Sequence, residues 1–418
     1  MSWTRAAVIL AVAGFGAAAI LAVVSRAPTE LRTADPGPGA RDPDEGARFT
    51  DEQIARHGAY RRAAYAGWGL GLMIQVVTLV VLARGPVESV AGGLERAGAH
   101  WLVRHVLVAL MVLTYMVVVT MPLAYVGFEI GHAWGLSTQS VPGWIADRAR
   151  GLLVGGVLAA LSAVVFFGVV RWQPQLWWVW GWLAFSILTV LIAYVWPVLV
   201  APLFNRFEPL HEGSLRRRVT ALVDAAGVSV GDVLVVDASK RSTAENAYVA
   251  GIGTSKRLVL FDTLIAGGDE DEAAFVVAHE LGHQVENHVL KNVLLSIGGL
   301  FIGFVVLAWL ADRPGMVEWA GVSGIGDLRA LPLLLLFAIA ANTISLPVEN
   351  AISRHFEARA DAIALELTRD PDTAVTVFRR LAFSNLADLR PPAVAVWTLF
   401  SHPPIADRIQ SARTVDAP

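Results

Sequence analysis

Cysteine does not occur anywhere in this 418-residue sequence. Disulfides are thereby excluded, and so is any thiolate metal site; a metal here must be held by histidine and carboxylate. Charge is also scarce. Asp, Glu, Lys and Arg supply 17% of the residues, against about 25% in an average soluble domain. Hydrophobic residues supply 55%, and mean hydropathy is +0.55. This is the composition of a membrane protein. Lysine is confined to Lys240, Lys256 and Lys291, so Arg carries nearly all the positive charge, a usage that fits a GC-rich bacterial genome. With a net charge of −3 and no basic patch, nucleic acid is not an expected partner.

What the chain has in abundance is long apolar runs. Crossing ~30 Å of hydrocarbon takes about 20 residues, and candidate spans lie at 6–24, 66–82, 102–126, 152–170, 178–200, 293–310 and 331–346. The first could instead be a signal peptide, although no small-residue cleavage site follows it. The expected organisation is an N-terminal region of five spans (1–204) with a polar linker near 28–51, then a soluble insert (205–292). Two further spans (293–348) and a C-terminal segment (349–418) complete it. Thr50 and Gln53 form a capping box for a helix feeding the second span. The insert opens with an amphipathic helix at Ser214–Ala226 and carries strand-like runs at Asp232–Val236 and Arg257–Phe261. Seven spans put the 26–65 and 127–150 loops, the insert and the tail on one side. Those segments hold most of the Arg and Lys, which makes that side cytoplasmic.

The chemistry is signalled by His279-Glu280-Leu281-Gly282-His283, an HExxH pattern at the end of the helix-forming run 272–278. Residues four apart share a helix face, so both imidazoles can reach one metal ion, with Glu280 beside them as a proton acceptor. Asp269–Glu272 suits the positive end of that helix, which is expected to begin at Gly268-Asp269. A catalytic zinc takes three protein ligands and leaves one position open, so one ligand is missing from the pattern. His288 is near in sequence, but on a continuing helix it is rotated about 140° from His283, which leaves it a polar packing role. Glu357, in the helical run 353–361, is the better candidate. Asp361, one turn further, can accept a hydrogen bond from a ligand histidine, although the run also reads as an ordinary charged helix. Ser401-His402-Pro403-Pro404, followed by Arg408, sets a fixed backbone angle. His402 or Arg408 could therefore support an oxyanion.

Taken together, these segments resemble the integral-membrane zinc metalloproteases called CAAX prenyl protease 1. The likeness extends to Ala201-Pro202-Leu203-Phe204-Asn205-Arg206-Phe207-Glu208-Pro209, to 239–242, to 246–248 with 256–264, and to the loop 135–140. It covers the chain from about residue 50 onward. The resemblance implies zinc ligands His279, His283 and Glu357, with Glu280 as general base and His402 acting on the transition state. It implies a mainly α, polytopic fold: seven membrane helices around a chamber, with a gluzincin-type metalloprotease domain containing a small β-sheet. Asn246, Ala247 and Tyr248 match the edge strand that holds an extended substrate, in the manner of β-augmentation. The stretch Gln284-Val285-Glu286 departs from the eukaryotic pattern. The partners implied are one Zn2+ per chain, the lipid bilayer of a bacterial plasma membrane, and a peptide or protein substrate, prenylated or not.

Two other readings stand beside this one. A quality-control protease of the heat-shock membrane type (HtpX-like) would have fewer spans before the metal helix. A transport or scaffold protein with a structural metal would show buried ionisable residues at mid-depth, and the spans show few.

Overall fold

The computed structural model describes residues 1–33, 49–267, 269–313 and 321–414, with residues 315 and 318. A chain in hydrocarbon must satisfy its own backbone polar groups, and a helix does so within one segment. The N-terminal half accordingly consists of α1 (Trp3–Val24), a short α2 (Thr29–Thr33), α3 (Asp51–Ala83), α4 (Pro86–Arg96), α5 (Trp101–Ala133), α6 (Val141–Trp172) and α7 (Trp177–Val195). A π-helical turn at Trp196–Val200 and α8 (Ala201–Phe204) prolong α7. Of the polar stretch expected as a linker at 28–51, residues 34–48 lie outside the description, as does Gly268.

The insert contains β1 (Phe207–Pro209), α9 (Ser214–Ala226), β2 (Asp232–Val236), β3 (Ala247–Ala250), β4 (Arg257–Phe261), α10 (Asp262–Gly267) and α11 (Glu270–Val285). Then follow α12 (His288–Ala311), α13 (Leu331–Thr368), α14 (Pro371–Ser384), α15 (Ala393–Leu399) and α16 (Ile405–Thr414). Among the described residues, seven helices are long and apolar enough to cross a membrane. They are α1, α3, α5, α6, α7 with its extension, α12 and α13. Among the described residues the fold is mostly helical, with a small mixed sheet in the order β1-β2-β4-β3.

The helices overrun the apolar runs, because apolar length marks what lipid covers and not where a helix must stop. α3 starts at the Thr50/Gln53 capping box, with Gln53 N donating to Thr50 Oγ1 at 3.2 Å and Thr50 N to Gln53 Oε1 at 3.0 Å. α13 runs unbroken for 38 residues. The boundary expected between 348 and 349 therefore falls inside one helix, and the last span is continuous with the segment bearing Glu357 and Asp361.

Packing divides the protein into a membrane core and a soluble core. Leu79, Val108, Phe167, Trp177, Phe304 and Leu331 join α3, α5, α6, α7, α12 and α13. Leu10, Leu21, Ile74 and Leu123 seat α1 against α3 and α5. Gly14 allows that seat, since a Cβ there would lie 2.5 Å from the Val119 carbonyl oxygen. The first span is thus packed as a member of the bundle. In the soluble core, Val219, Leu260, Phe275, Leu281, Phe378 and Ile409 bring α9, β4, α11, α14 and α16 together.

Polar pins fasten the two parts. Arg241 donates from Nε to Asp147 Oδ2 and from Nη1 to Asn205 Oδ1, both at 2.6 Å. Ser137 bridges to Ser242. From α3, Arg61 Nε donates to Leu386 O at 2.6 Å and Tyr65 OH to Asp388 Oδ2 at 2.8 Å. The 135–140 loop, the start of α3, the insert and the C-terminal segment therefore meet at one end of the bundle.

Candidate metal centre and active site

The centre is built where α11 crosses α13. Asp269 caps α11, accepting from Asp271 N at 3.2 Å, and Glu270, Asp271 and Glu272 fill its first turn. Helical spacing then brings His279 and His283 to the same face, with their Nε2 atoms 3.2 Å apart. Glu357 enters from α13, Oε2 lying 3.2 Å from His279 Nε2 and Oε1 lying 3.5 Å from His283 Nε2. One donor atom from each of the three residues falls within 4.8 Å of the others.

The glycine of the HExxH pattern makes this crossing possible. A Cβ at Gly282 would lie 2.9 Å from both Cα and O of Ala360, and backbone cannot swing aside as a side chain can. Gly282→Ala is expected to force α11 from α13 and carry Glu357 away from the histidines. The destabilisation should be about 1–3 kcal/mol, the usual range for overpacking, with metal binding weakened in parallel. Thermal unfolding and zinc titration of the purified variant measure the two effects.

Beyond the donor atoms, Asp361 Oδ1 lies 2.8 Å from His279 Nδ1. Arg408 holds Asp361 in turn, donating from Nε to Oδ2 at 2.8 Å and from Nη2 to Oδ1 at 2.6 Å, with its guanidinium 4.2 Å over the Phe378 ring. Two of the N–H groups that could have met an oxyanion are thus directed at Asp361. His402 stands at the mouth of the site, its Nε2 3.2 Å from Glu357 Oε2 and its Nδ1 2.9 Å from Ser401 Oγ. The Ser401-His402-Pro403-Pro404 pattern by itself does not announce this contact, which depends on the rotamers of two adjacent side chains.

Glu280 points toward β3 and shares a hydrogen bond with the Val249 backbone. Burial pushes its carboxyl up to about 7. The strand β3 pairs antiparallel with β4 and ends the sheet. Its Ala247 is buried at 2%, Tyr248 packs edge-on against Phe261, and Asn246 just before it is exposed. Asn385 grips the approach to this strand from both sides. It accepts from Glu245 N at 3.3 Å and donates to Glu245 O at 3.2 Å. Nothing in the sequence pattern pointed to Asn385, because the pair is 140 residues apart.

The donor set fits a metal dication. Two imidazoles and the buried carboxylate of Glu357 converge, each offering one donor atom within 4.8 Å of the others. Burial opposes charge on His279, yet hydrogen bonds with Asp361 and Glu357 outweigh it and raise its pKa to about 10. Burial, then the charge on His279, lowers His283 to about 4. The pocket therefore draws one positive charge to itself, and a metal competes with a proton for that place.

A helical membrane bundle with this donor set at the base of a small sheet defines a membrane-embedded metallopeptidase. Comparison with known proteins places it more closely. A family model described as "Peptidase family M48" matches residues 209–416, and one described as "CAAX prenyl protease N-terminal, five membrane helices" matches residues 46–206. YhfN of Bacillus subtilis, described as an uncharacterised metalloprotease, is 33% identical over 300 residues, 70% of each chain. The CAAX prenyl protease 1 homologue of Arabidopsis thaliana is 30% identical, covering 72% of this chain and 71% of its own. The crystal structure of S. mikatae Ste24p superposes with a TM-score of 0.76 at 22% identity, covering 97% of this chain and 98% of that one, so the two share a fold. The chain belongs to peptidase family M48, in its CAAX prenyl protease branch with the five-helix N-terminal region.

Proposed function

We propose that this chain is a zinc endopeptidase of a bacterial plasma membrane that cuts extended, hydrophobic C-terminal segments of the CAAX type on the cytoplasmic side. The observation that carries the reading is the convergence of His279, His283 and Glu357 donor atoms within 4.8 Å. Three protein ligands with an open fourth position make a catalytic zinc set, whereas structural zinc is closed by four. When bound there, zinc supplies Lewis acidity, polarising a carbonyl oxygen and acidifying a water.

The chain's own groups do the rest. The edge of β3 left free by β4 offers its backbone to an extended peptide, with Asn246, Ala247 and Tyr248 at its start. Glu280, adjoining that strand, takes the proton of the attacking water and passes it to the leaving amine. His402, its ring held by Ser401, donates to the oxyanion. Arg408 serves this chemistry by fixing Asp361. The relatives named CAAX prenyl protease 1 suggest the substrate class. The Arg-rich loops that meet at the catalytic end support the cytoplasmic orientation. Membrane region 1–204, insert 205–292, spans 293–348 and segment 349–418 act as one catalytic unit.

The test is cleavage of one C-terminal peptide, with and without a farnesyl group, by detergent-purified protein, read by mass spectrometry beside Glu280→Gln. Preference for the farnesylated form is the expected result. Equal cutting, or preference for the bare peptide, would keep the peptidase and move its substrate to unfolded membrane proteins. No cutting of either by zinc-loaded protein would reject the substrate class.

A further inference from the structure

Behind the donor atoms, His288 is held between His283 and Phe356. It is 2% exposed, and its ring stacks on Phe356 with centroids 4.1 Å apart and planes within 14°. Its Nδ1 lies 2.9 Å from Nδ1 of His283, while its Nε2 is buried without a partner. The backbone makes the approach. Asn287 adopts φ 54, the left-handed region that Asn tolerates better than most residues. That turn ends α11 and starts α12 in a new direction, bringing residue 288 back over His283. The 140° offset of a continuing helix no longer applies.

Two imidazole nitrogens at this distance need one proton between them, because facing lone pairs repel. With the proton on His288, a neutral His283 must carry its own on Nε2, the atom facing His279 and Glu357. With the proton on His283 Nδ1, that Nε2 keeps its lone pair for a metal. His288 Nε2 lacks a partner in either arrangement, so burial does not choose between them; a cation at His283 Nε2 does. The charge count favours a neutral acceptor here. Arg408 already balances Asp361, leaving Glu280 and Glu357 to balance a dication, and a third free carboxylate would overshoot.

Resting on the metal-centre reading above, we infer that His288 is the positioning residue that holds His283 in its Nδ1–H tautomer, serving the second ligand as Asp361 serves the first. A hydrogen-bonded partner behind a ligand histidine fixes ring orientation and raises its basicity, and losing one costs roughly 10–100-fold in metal affinity.

The test compares wild type, His288→Phe and His288→Asn in zinc titrations against a competing chelator, with cobalt absorption spectra as a second readout. Phe keeps the stack on Phe356 and lacks an acceptor; Asn sets an amide oxygen near the place of Nδ1. The expected result is a loss of roughly 10–100-fold in zinc affinity for Phe and recovery of most of it for Asn. Melting temperatures of chelator-treated wild type and the Phe variant should stay close, since the stack on Phe356 is kept. Wild-type affinity in the Phe variant would overturn the inference, and so would an Asn variant as weak as Phe. Should the Phe variant fail to fold, His288→Met makes the same comparison. Wild type that binds no zinc, or His283→Ala that binds it as tightly as wild type, would instead overturn the metal-centre reading itself.

Discussion

Replacing Glu280 by Gln is expected to lower peptide cleavage by roughly 10²–10⁴-fold, the range a positioned general base contributes, with zinc content unchanged. The amide is nearly isosteric, so the approach of α11 to β3 and the His279, His283 and Glu357 donors stays in place. What is lost is a group that can take up a proton. The pH profile carries the same assignment. Burial raises the Glu280 carboxyl from 4.5 to about 7. A raised carboxyl is protonated, and useless as a base, over a wider acid range. kcat/KM should therefore fall as pH drops, with the acid limb above 4.5 and no higher than about 7, since a dication nearby favours the ionised form. A metal-free Glu280→Gln protein, or a wild-type limb below 4.5, would assign the base elsewhere.

Arg408→Ala is expected to be the most destabilising single change near the site, by about 3–5 kcal/mol, the cost of leaving a buried charge without its partner. The side chains of Arg408 and Asp361 are 11% and 9% exposed, and two hydrogen bonds join them. Arg408→Ala strands the Asp361 carboxylate against His279. Adding Asp361→Asn removes that stranded charge while keeping an oxygen for His279 Nδ1. The double variant should therefore unfold at a higher temperature than Arg408→Ala alone, an interaction that a double-mutant cycle reads directly. Independent losses in the two variants would contradict the pairing. If Arg408 acted mainly on the oxyanion, its removal would lower turnover without moving the melting temperature.

Much of this protein was legible before folding because its signals are local. Length and hydropathy mark the seven spans, since hydrocarbon thickness sets the number of apolar residues needed. A four-residue spacing puts His279 and His283 on one face through helix geometry alone. The Thr50–Gln53 box and the runs at Asp232–Val236 and Arg257–Phe261 are read from neighbouring residues and appear as a cap and two strands. Helix ends were less legible, because the polar ends of α3, α6 and α13 are helical for reasons that apolar counting does not register.

Side-chain partnerships between distant residues were decided by tertiary structure. Glu357 meets the histidines only because α13 continues past the membrane and Gly282 lets it lie against α11. Arg408 could be paired with Asp361 only after α16 had packed on α14, across 47 residues of sequence. His288 turns inward because one residue, Asn287, leaves the helical region, and no periodicity anticipates a single dihedral. The sequence by itself determined which residues could bind a metal and which segments could lie in lipid, because both follow from residue type and short spacing. Which partner each histidine would have was left to the crossing of α11 and α13 and to the turn at Asn287, because a hydrogen bond depends on positions to within a fraction of an ångström, and only the packed chain sets those.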